Sequence, residues 1–485
     1  MPPKDGAPDG RTRAEQLMRY ITGARWFAGK GRPAELRSVA TLPWLTLPGE
    51  WPAVRLEIAE VAYPADSEVK SAKTEPSEFY SLPVAYRQSP VGLLNHAEIA
   101  RFDDPRIGSV VGYDAMQDPD ACHVVLRELI GQAWHRDPEA AVRFHLRAAE
   151  ELTPDLEPHV YTGQQSNTSV MFGDVAMLKL FRRLELGRNL DIEIHNALSR
   201  SHVTDVAQLY GWVEGSWRVT GETRHADLAM VVEKLADAHD GWALALHSLQ
   251  QQASFGSEAK ALGTALAETH SALREAFPTA QASGAMVAAV MRERLDRATA
   301  TAPALTPYAA ALRQLFDQLG SESLSLQRVH GDFHLGQTLH TPRGWKIIDF
   351  EGEPAKSLAE RAAPDSIWRD IAGMLRSFDY AAGNAPGPRS ADWRNECRSA
   401  FLDGYASGPL EPADAATLRA YEADKAVYEV IYEIRNRPDW VDIPLTAVAT
   451  LAGSATGNHS NSNGHSGPTL KPAEIGVATT KLKEQ

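Results

Sequence analysis

The chain has 485 residues, which is too long for one ordinary domain, so two or three domains are expected. It carries 49 Lys and Arg residues against 63 Asp and Glu, a net charge of −14, which argues against nucleic acid or an anionic membrane as a partner. The two cysteines, Cys122 and Cys397, are too few for a disulfide framework or a Cys-rich metal site, and a cytoplasmic location is expected. No stretch approaches the roughly 20 apolar residues of a membrane span.

The first third of the chain is predicted to be rich in strands. Residues 1–13 are rich in Pro, Gly and charge and are expected to be disordered, and a short helix is predicted around residues 17–21. The alternating region 38–91 indicates strands, with Val54, Leu56 and Ile58 on one face and Val61 out of that register. A helix is predicted at residues 137–151.

The remaining two thirds change from strands to helices. From residue 157 the pattern predicts a strand, a polar turn and a second strand, then a helix at 190–200 and three strands within 206–235. Beyond residue 241, helices are predicted at 261–277, 308–319, 365–382, 389–405 and 412–436, with short strands at 326–350. The polar residues 453–485 are predicted to form a disordered tail.

Residues 330–354 carry the clearest chemical pattern. Asp332 and Asp349 each border a short apolar run, so two strands joined by a turn would bring both carboxylates to one end of the pair. Gln337, five residues after Asp332, adds an amide oxygen, and such an oxygen-rich set suits Mg²⁺. Phosphoryl transfer needs one Asp to accept the proton of the acceptor hydroxyl, and a second Asp with an amide to hold the metal. An Asp in a turn can instead simply cap backbone groups, but the joint order and spacing favour the chemical interpretation.

A phosphate-binding region is predicted upstream of this pattern. Lys179 lies in an apolar, β-rich run, and Glu193 follows fourteen residues later in the next predicted helix. A strand lysine held by a helix glutamate is the kinase arrangement that places the amine on the ATP phosphates; the alternative is a solvated strand lysine. The polar turn before Lys179 can offer backbone N–H groups to phosphate. Its predicted nucleotide contacts are Gln165, Ser166, Asn167, Thr168 and Ser169.

The segment 230–242 lies where strands give way to helices. In a two-lobed kinase this position is the hinge, whose backbone binds adenine. Glu233 and Leu235 are therefore predicted to make backbone contacts with the nucleotide, with an ordinary strand end as an equal alternative. The expected cofactors are ATP and Mg²⁺.

The motifs HGDFHLGQ, IDFEGEP, RDIAGMLRSFDYAA, DKAVYEVIYEIRNRPDW, QSNTSVMF and LKLFRR together resemble the actinobacterial maltokinases, in the aminoglycoside-phosphotransferase-like, protein-kinase-like superfamily. The resemblance runs from about residue 26 to about residue 451. It implies an α+β, bilobal protein-kinase-like fold. The expected parts are an N-terminal cap subdomain (1–100), an intermediate subdomain and β-rich N-lobe (101–235), and an α-helical C-lobe (236–452).

The resemblance also implies ATP-dependent phosphorylation of maltose at its anomeric hydroxyl. Carried over by motif, Asp332 resembles the catalytic base, Gln337 and Asp349 the Mg²⁺ ligands, and Lys179 the phosphate lysine with Glu193 as its partner. Glu351 is expected to support the metal site. The expected partners are a small sugar and ATP, and a monomer is expected.

The sugar is expected to bind beside Asp332, between helices of the C-lobe. Its candidate contacts are Arg376, Asp379, Glu429, Glu433, Arg435 and Trp440. The related glucosamine kinases share these motifs, so phosphorylation of glucosamine to glucosamine 6-phosphate is the alternative. Asp439 and Asp442, where maltokinases have small or proline residues, would favour an ammonium group if they border the pocket, although they could equally be surface charges. An aminoglycoside-type phosphotransferase and a nucleotide-binding pseudokinase are further alternatives, and the competent residues at every catalytic position argue against the second.

Overall fold

The computed structural model describes residues 11–64, 77–147, 151–161, 166–320, 323–354, 356–406 and 408–456. The turn residue Gln165, the extreme N-terminus and the tail beyond residue 456 lie outside these ranges. Within the described residues, no helix combines the length and apolar character that crossing a membrane requires.

The N-terminal region is an antiparallel sheet with helices on its flanks. Helix α1 begins after Thr12, whose hydroxyl accepts a hydrogen bond from the Glu15 N–H while the Glu15 carboxylate accepts one from the Thr12 N–H. The sheet has the strand order β1-β2-β3-β5-β4. The elements are α1 (Arg13–Gly23), β1 (Glu35–Thr41), β2 (Ala53–Ala62), β3 (Ser77–Arg87), β4 (Glu98–Asp104), β5 (Gly108–Asp114) and α2 (Pro119–Ile130). The cap boundary predicted at residue 100 falls inside β4, and the sheet continues to Asp114.

The N-lobe is a second antiparallel sheet, with the strand order β6-β7-β12-β13-β10-β9-β8. Its elements are β6 (Trp134–Arg136), β7 (Ala140–Leu146), β8 (Pro158–Val160), β9 (Thr168–Phe172), β10 (Ala176–Leu180), β11 (Arg183–Leu184), α3 (Leu190–Arg200), β12 (Leu209–Val219) and β13 (Glu222–Glu233). The short β11 leaves this sheet and pairs with β3 of the cap sheet, so the chain connects the two sheets immediately after β10.

The C-lobe consists of helices around short hairpins. Its elements are β14 (His239–Asp240), α4 (Gly241–Gln250), α5 (Gly256–Ala276), β15 (Ala280–Ser283), α6 (Gly284–Thr301), α7 (Ala309–Asp317), β16 (Ser323–Leu326), β17 (Thr338–Thr341), β18 (Gly344–Ile347), α8 (Leu358–Ala362), α9 (Trp368–Asn384), α10 (Ser390–Ala406), α11 (Pro412–Asn436) and α12 (Asp442–Thr456). Helix α9 crosses the centre of the lobe and is buried along most of its length. The long predicted C-terminal helices are therefore present as α9, α10 and α11.

Strand β2 shows how the cap and the N-lobe share a core. Val54, Leu56 and Ile58 pack into the core of the N-lobe, whereas Val61 and Ala59 pack into the core between α1 and the cap sheet. Every residue of β2 is buried. The change of register at Val61 in the sequence therefore marks a strand that is covered on both faces.

Two predictions of secondary structure are wrong. The helix predicted at 137–151 is strand β7 where it is described, and its buried residues Ala140, Val142 and Phe144 follow the two-residue period of a strand. The three strands predicted within 206–235 are two, because β12 continues from Leu209 to Val219 through Gly215, which lies against the Leu228 side chain. A Cβ at Gly215 would come within 2.8 Å of Leu228, so the glycine allows close packing and does not end the strand.

Candidate active site

The loop that carries Asp332 is held by the buried carboxylate of Asp370 in α9. Asp370 accepts hydrogen bonds from the backbone N–H groups of His330 at 2.7 Å and Gly331 at 2.8 Å, and its Oδ2 lies 3.0 Å from His270 Nε2. Burial alone would raise the pKa of Asp370, but its bonds and charges from His270 and His330 hold that pKa below its ordinary value. Gly331 has a φ of +86°, which glycine adopts without strain. The backbone immediately before Asp332 is thus held by two hydrogen bonds to the Asp370 carboxylate.

Gln337 and Asp349 come together at the open end of the β17–β18 hairpin. Gln337 Nε2 donates to Asp349 Oδ2 at 3.2 Å, and the Ile348 N–H donates to the Gln337 carbonyl at 3.0 Å. His330 Nε2 also contacts the Ile348 carbonyl at 2.9 Å, which ties the Asp332 loop to the strand before Asp349. Asp349 has a φ of 66°, a left-handed conformation that is rare outside glycine and concentrates at functional sites. The structure thus places Gln337 beside Asp349 at one end of a strand pair, and the predicted meeting of the Asp332 and Asp349 carboxylates stays a prediction.

Lys179 lies among three carboxylates, and the predicted pairing with Glu193 is wrong. Its Nζ is 3.2 Å from Asp191 Oδ2, 3.2 Å from Asp349 Oδ1 and 2.9 Å from Glu351 Oε1. Glu193 instead pairs with Arg328 at 3.3 Å. Both acids lie in the first turn of α3. Residues two positions apart on a helix are separated by about 200° of rotation, so the two side chains point to different sides. Asp191 faces the cleft, and Glu193 does not contact Lys179.

The charges of this cluster suit a divalent cation. Carboxylate oxygens of Asp191, Asp349 and Glu351 lie within 4.8 Å of one another. Burial would lower the pKa of Lys179, but the three carboxylates raise it well above its ordinary value, so the amine stays charged. Burial raises the pKa of Glu351, and Lys179 only partly opposes this. Three carboxylates around one ammonium form a cluster that is rich in oxygen ligands, which is the donor chemistry that Mg²⁺ takes.

Asp191 is the member of this cluster whose ionised form is stabilised by its neighbours. Burial alone would raise its pKa, but Lys179 and His195 outweigh that effect and hold the pKa of Asp191 well below its ordinary value. Its Oδ1 accepts the Phe350 N–H at 3.1 Å, directly after Asp349. Asn189 caps α3 by accepting the Ile192 N–H, which fixes the turn that presents Asp191. Asp191 therefore positions both the lysine and the strand end that carries Asp349.

The predicted phosphate loop lies across the sheet from Lys179. In the β9–β10 pairing, Ser169 is opposite Lys179 and Thr168 is opposite Leu180. Residues directly opposite in a sheet lie on the same face. Ser166 is exposed, and Asn167 and Thr168 are half-buried. The end of the loop is thus placed beside the lysine, and direct nucleotide contacts by these residues remain a prediction.

The predicted hinge residues lie where β13 leaves the N-lobe. The Glu233 N–H donates to the Gln208 carbonyl at 2.8 Å, and the Glu233 carboxylate pairs with Arg343 of the β17–β18 turn. Leu235 follows two residues later and packs against the N-lobe core. Glu233 therefore connects the two lobes at the place predicted for the hinge, and its contact with adenine remains a prediction.

Helix α11 presents a polar and aromatic face to Asp332. Lys425 Nζ lies 3.5 Å from Asp332 Oδ1 and 5.5 Å from the centre of the Tyr428 ring. The Tyr428 and Tyr432 rings are stacked, with centroids 6.4 Å apart. Burial raises the pKa of Tyr428 to about 12, and its hydrogen bond with Glu353 acts in the same direction. This face lies beside the expected catalytic base and offers both charge and ring surface to an acceptor.

Three predicted sugar contacts form a buried network behind this face. Arg376 is fully buried, and its guanidinium bonds Glu429 at 2.8 Å and Asp379 at 2.5 Å. Burial would lower the pKa of Arg376, but the two carboxylates raise it above its ordinary value. Most of the polar groups of this network bond to one another inside the protein, so Arg376 stabilises the position of α11. Glu429 is the member of the network nearest Lys425 in sequence.

The other predicted sugar contacts lie toward the end of α11. Glu433 is buried and accepts hydrogen bonds from the Tyr380 hydroxyl at 2.9 Å and from Arg437 at 2.7 Å. Trp440 packs near Tyr380, with ring centroids 6.1 Å apart, and under Arg437. Arg435 is exposed and, within the described ranges, has no ion pair. These positions are structural neighbours of the α11 face, and direct contact with a sugar remains a prediction for them.

Several residues at this site were not singled out from the sequence. Lys425, Tyr428 and Tyr432 lie at i, i+3 and i+7 of a helix, a spacing that places them on one face and could have identified them. Asp370, in the RDIAG segment, had no such pattern, because it acts on backbone groups forty residues away. Asp191 could have been considered with Glu193, since both are acids in the first turn of the same helix.

Comparisons with known proteins agree with this geometry. Residues 20–118 match the maltokinase N-terminal cap domain, and residues 190–424 match the phosphotransferase enzyme family. A glucosamine kinase of Streptacidiphilus jiangxiensis is 28% identical over 397 residues, which are 74% of this chain and 88% of that protein. A glucosamine kinase of Mycolicibacterium smegmatis is 28% identical over 327 residues, 61% of this chain and 79% of that protein.

The fold is likewise shared with solved structures. A glucosamine kinase in complex with glucosamine, ADP and inorganic phosphate matches with a TM-score of 0.62 and 21% identity, over 89% of this chain and 98% of that chain. Because 89% of this chain is matched, the matched part includes residues of the cap. The cap sheet, the curled N-lobe sheet and the helical C-lobe are thus one kinase-like fold. The chain is an ATP-dependent sugar phosphotransferase, in which residues 190–424 match the phosphotransferase enzyme family and residues 20–118 match the maltokinase N-terminal cap domain.

Proposed function

We propose that this chain transfers the γ-phosphoryl group of ATP to the 6-hydroxyl of glucosamine. The observation that carries a phosphoryl transfer is the arrangement of Asp332 beside Lys425, with Asp349 and Gln337 at the adjoining end of a hairpin. The choice of sugar is supported by two relatives named as glucosamine kinases, which match over 88% and 79% of their own length.

In this proposal the side chains divide the reaction between them. Asp332 orients the acceptor hydroxyl and accepts its proton, while Lys425 lies close enough to hold the Asp332 carboxylate in place. Lys179, whose Nζ lies 3.2 Å from Asp349 Oδ1, contacts the phosphates of ATP. Asp349 and Gln337 would hold Mg²⁺, with Glu351 beside them, and the bound ion supplies neutralisation of phosphate charge.

Two carboxylates lie near the α11 face and are the candidates for binding an amino sugar. Glu353 contacts Tyr428 and pairs with Arg369 at 2.5 Å, and Glu429, one turn after Lys425, pairs with Arg376 at 2.8 Å. A charge-assisted hydrogen bond from an ammonium group to a carboxylate contributes about 1.5–3 kcal/mol net. Asp439 and Asp442, which could have favoured an ammonium, are both exposed and lie beyond the end of the face, so they are expected to act as surface charges.

The test compares glucosamine, glucose and maltose as acceptors with ATP and Mg²⁺, and locates the phosphate in the product by NMR. Glucosamine is expected to have the highest kcat/KM, with phosphate on the 6-hydroxyl. Glu353→Gln and Glu429→Gln are expected to lower kcat/KM for glucosamine by roughly ten- to a hundredfold, and to affect glucose less. Asp439→Ala and Asp442→Ala are matched controls, expected to leave all three rates nearly unchanged. A higher kcat/KM for maltose than for glucosamine would refute the assignment.

Maltose is the second candidate, because the N-terminal residues match the maltokinase cap domain. A disaccharide needs room for its second ring and an aromatic platform, which the stacked Tyr428 and Tyr432 provide. Under this alternative, the phosphate would appear on the anomeric hydroxyl. Tyr432→Ala would then lower kcat/KM for maltose and leave glucosamine unaffected.

A further inference from the structure

A cavity of about 510 Å³ lies between the cap and the N-lobe, where neither the catalytic aspartate nor the metal cluster lines it. Helix α1 and the start of β4 form one wall, and Asn167 and Thr168 at the end of the phosphate loop form part of the other. Small-molecule sites have volumes of roughly 300–1,000 Å³. The cavity is therefore large enough for a monosaccharide derivative and adjoins the nucleotide loop.

The charge of this cavity is positive. Arg19 and Arg25 line it and are exposed, and neither has an ion pair within the described part of the chain. Two acids also line the cavity, but Arg101 neutralises Glu98 at 2.6 Å and Arg182 neutralises Asp114 at 2.5 Å. Two guanidinium groups are thus left without a counter-charge, and guanidinium matches phosphate oxygens in a bidentate geometry.

Aromatic and amide side chains line the same cavity. Tyr20 and Trp26 lie with ring centroids 6.1 Å apart, and Tyr161 is 46% exposed. Asn167 adds an amide. Flat rings with amide and guanidinium donors are the groups that bind a pyranose ring and its hydroxyls. We propose that this cavity is a second ligand site, which binds a phosphorylated hexose and couples its binding to the nucleotide site.

The coupling follows a chain of hydrogen bonds along the cavity wall, from Tyr20 to Thr168 at the end of the phosphate loop. The Tyr20 hydroxyl donates to Asp114 Oδ2 at 2.5 Å, and Arg182 Nη2 donates to the same oxygen at 2.5 Å. Arg182 Nε donates to Thr168 Oγ1 at 2.7 Å, and the Arg182 carbonyl accepts the Ser81 N–H of the cap sheet. Arg182 is 1% exposed, so its position is set by these partners.

A ligand that contacts both Tyr20 and Asn167 restricts the end of the phosphate loop. Binding that has already ordered a segment lowers the ordering cost of a second ligand, which gives positive coupling. The hexose phosphate therefore tightens nucleotide binding, and the nucleotide tightens hexose phosphate binding by the same factor. Coupling between sites in proteins typically changes affinity by about 5- to 150-fold.

Binding is tested by calorimetry on the full chain saturated with ADP, Mg²⁺ and the acceptor sugar that it phosphorylates, so that the active site is occupied. The probes are glucose 6-phosphate, glucose and inorganic phosphate. Glucose 6-phosphate is expected to bind with a Kd below about 1 mM, and the other two at least tenfold more weakly, because each lacks one half of the recognised chemistry. Arg19→Gln combined with Arg25→Gln is expected to weaken glucose 6-phosphate at least tenfold and to leave turnover without it unchanged.

The controls separate specific binding from general charge. Arg106→Gln removes an exposed cap arginine that does not line the cavity, and it is expected to leave glucose 6-phosphate binding unchanged. Absence of glucose 6-phosphate binding up to about 10 mM would overturn the site, as would equal loss in the Arg106→Gln control. Binding of phosphate as tight as glucose 6-phosphate would overturn the hexose part of the proposal.

Coupling is tested by measuring the Kd of ADP·Mg²⁺ with the acceptor sugar saturating, with and without glucose 6-phosphate. A decrease of at least about fivefold is expected. Tyr20→Phe removes one hydroxyl from the chain of hydrogen bonds, and Arg182→Lys removes the guanidinium that contacts both Asp114 and Thr168. Both variants are expected to remain folded, as judged by thermal melting, and to show a smaller coupling factor. An unchanged Kd for ADP in the wild type, or full coupling in both variants, would overturn the proposed route.

Discussion

Replacing Asp191 with Asn tests whether the lysine of the nucleotide site depends on the acid that the structure assigns to it. Lys179 Nζ lies 3.2 Å from Asp191 Oδ2, and the two side chains are only 18% and 4% exposed. A hydrogen bond between charged groups contributes about 1.5–3 kcal/mol. Asp349 and Glu351 still hold the amine in the variant, so the loss is expected to be one such bond and not the whole cluster.

A loss of that size lowers kcat/KM for ATP by roughly ten- to a hundredfold. Steady-state kinetics with ATP varied at saturating sugar measures it. Glu193→Gln is the matched control, because it also neutralises an acid in the first turn of α3. The Glu193 side chain is 37% exposed and its ion pair with Arg328 is 3.3 Å long. Such an exposed pair contributes at most about 1 kcal/mol, so the control is expected to lower kcat/KM by less than about fivefold.

The outcome that contradicts the structure is a reversed order of the two variants. If Glu193→Gln lowers kcat/KM for ATP as much as Asp191→Asn, or more, Glu193 and not Asp191 positions Lys179. Circular dichroism and thermal melting of both proteins show whether either loss of rate comes from unfolding, since Asp191 Oδ1 also accepts the Phe350 N–H.

Three further predictions follow from the site and the fold. Asp332→Asn is expected to bind ATP normally and to lower kcat by roughly two to four orders of magnitude, because the proton acceptor is lost; near-normal turnover would refute the role. Asp349→Ala is expected to lower kcat by roughly 10²–10³ and to remove the Mg²⁺ dependence of ADP binding in calorimetry; an unchanged Mg²⁺ titration would argue against it. Burial and the neighbouring Glu268 raise the pKa of Asp205 to about 6. Because this folded-state pKa lies above the ordinary value of about 4, the folded form binds more protons between these pH values and stability falls as pH rises through that window. Glu268→Gln should therefore show a smaller fall in Tm from pH 4.5 to pH 7.5 than the wild type, and equal falls would contradict the pairing.

The local part of the site could be predicted from the sequence. Gln337 and Asp349 lie on either side of a hairpin, so their meeting follows from the spacing of two short strands. Val61 left the register of β2, and the structure explains this by a strand buried on both faces. These features depend on neighbours in sequence, for which the periods of strands and helices are informative.

The long-range part of the site could not be predicted in the same way. The partner of Lys179 was assigned to Glu193 by its place in the helix, but the rotation of α3 against the sheet decides which acid of its first turn faces the cleft. Arg376 was predicted to contact the sugar, whereas its guanidinium is consumed by Glu429 and Asp379 inside the C-lobe. Ala140, Val142 and Phe144 had strand spacing, but they lay within a run of helix-forming residues, and burial in the N-lobe core overrode that propensity.

The buried carboxylate of Asp370 affects how the phosphate donor and the acceptor hydroxyl are positioned relative to each other. It bonds the backbone before Asp332 and also His270 of α5, and both α5 and α11 pack into the core of the C-lobe. Asp332 as the proposed base and the α11 face as the proposed sugar surface are therefore built on one packed core. Any change in the angle between the lobes would move the phosphate loop over an acceptor and base that keep their own geometry, so lobe closure would set the distance of the donor and leave the alignment of the hydroxyl with Asp332 unchanged.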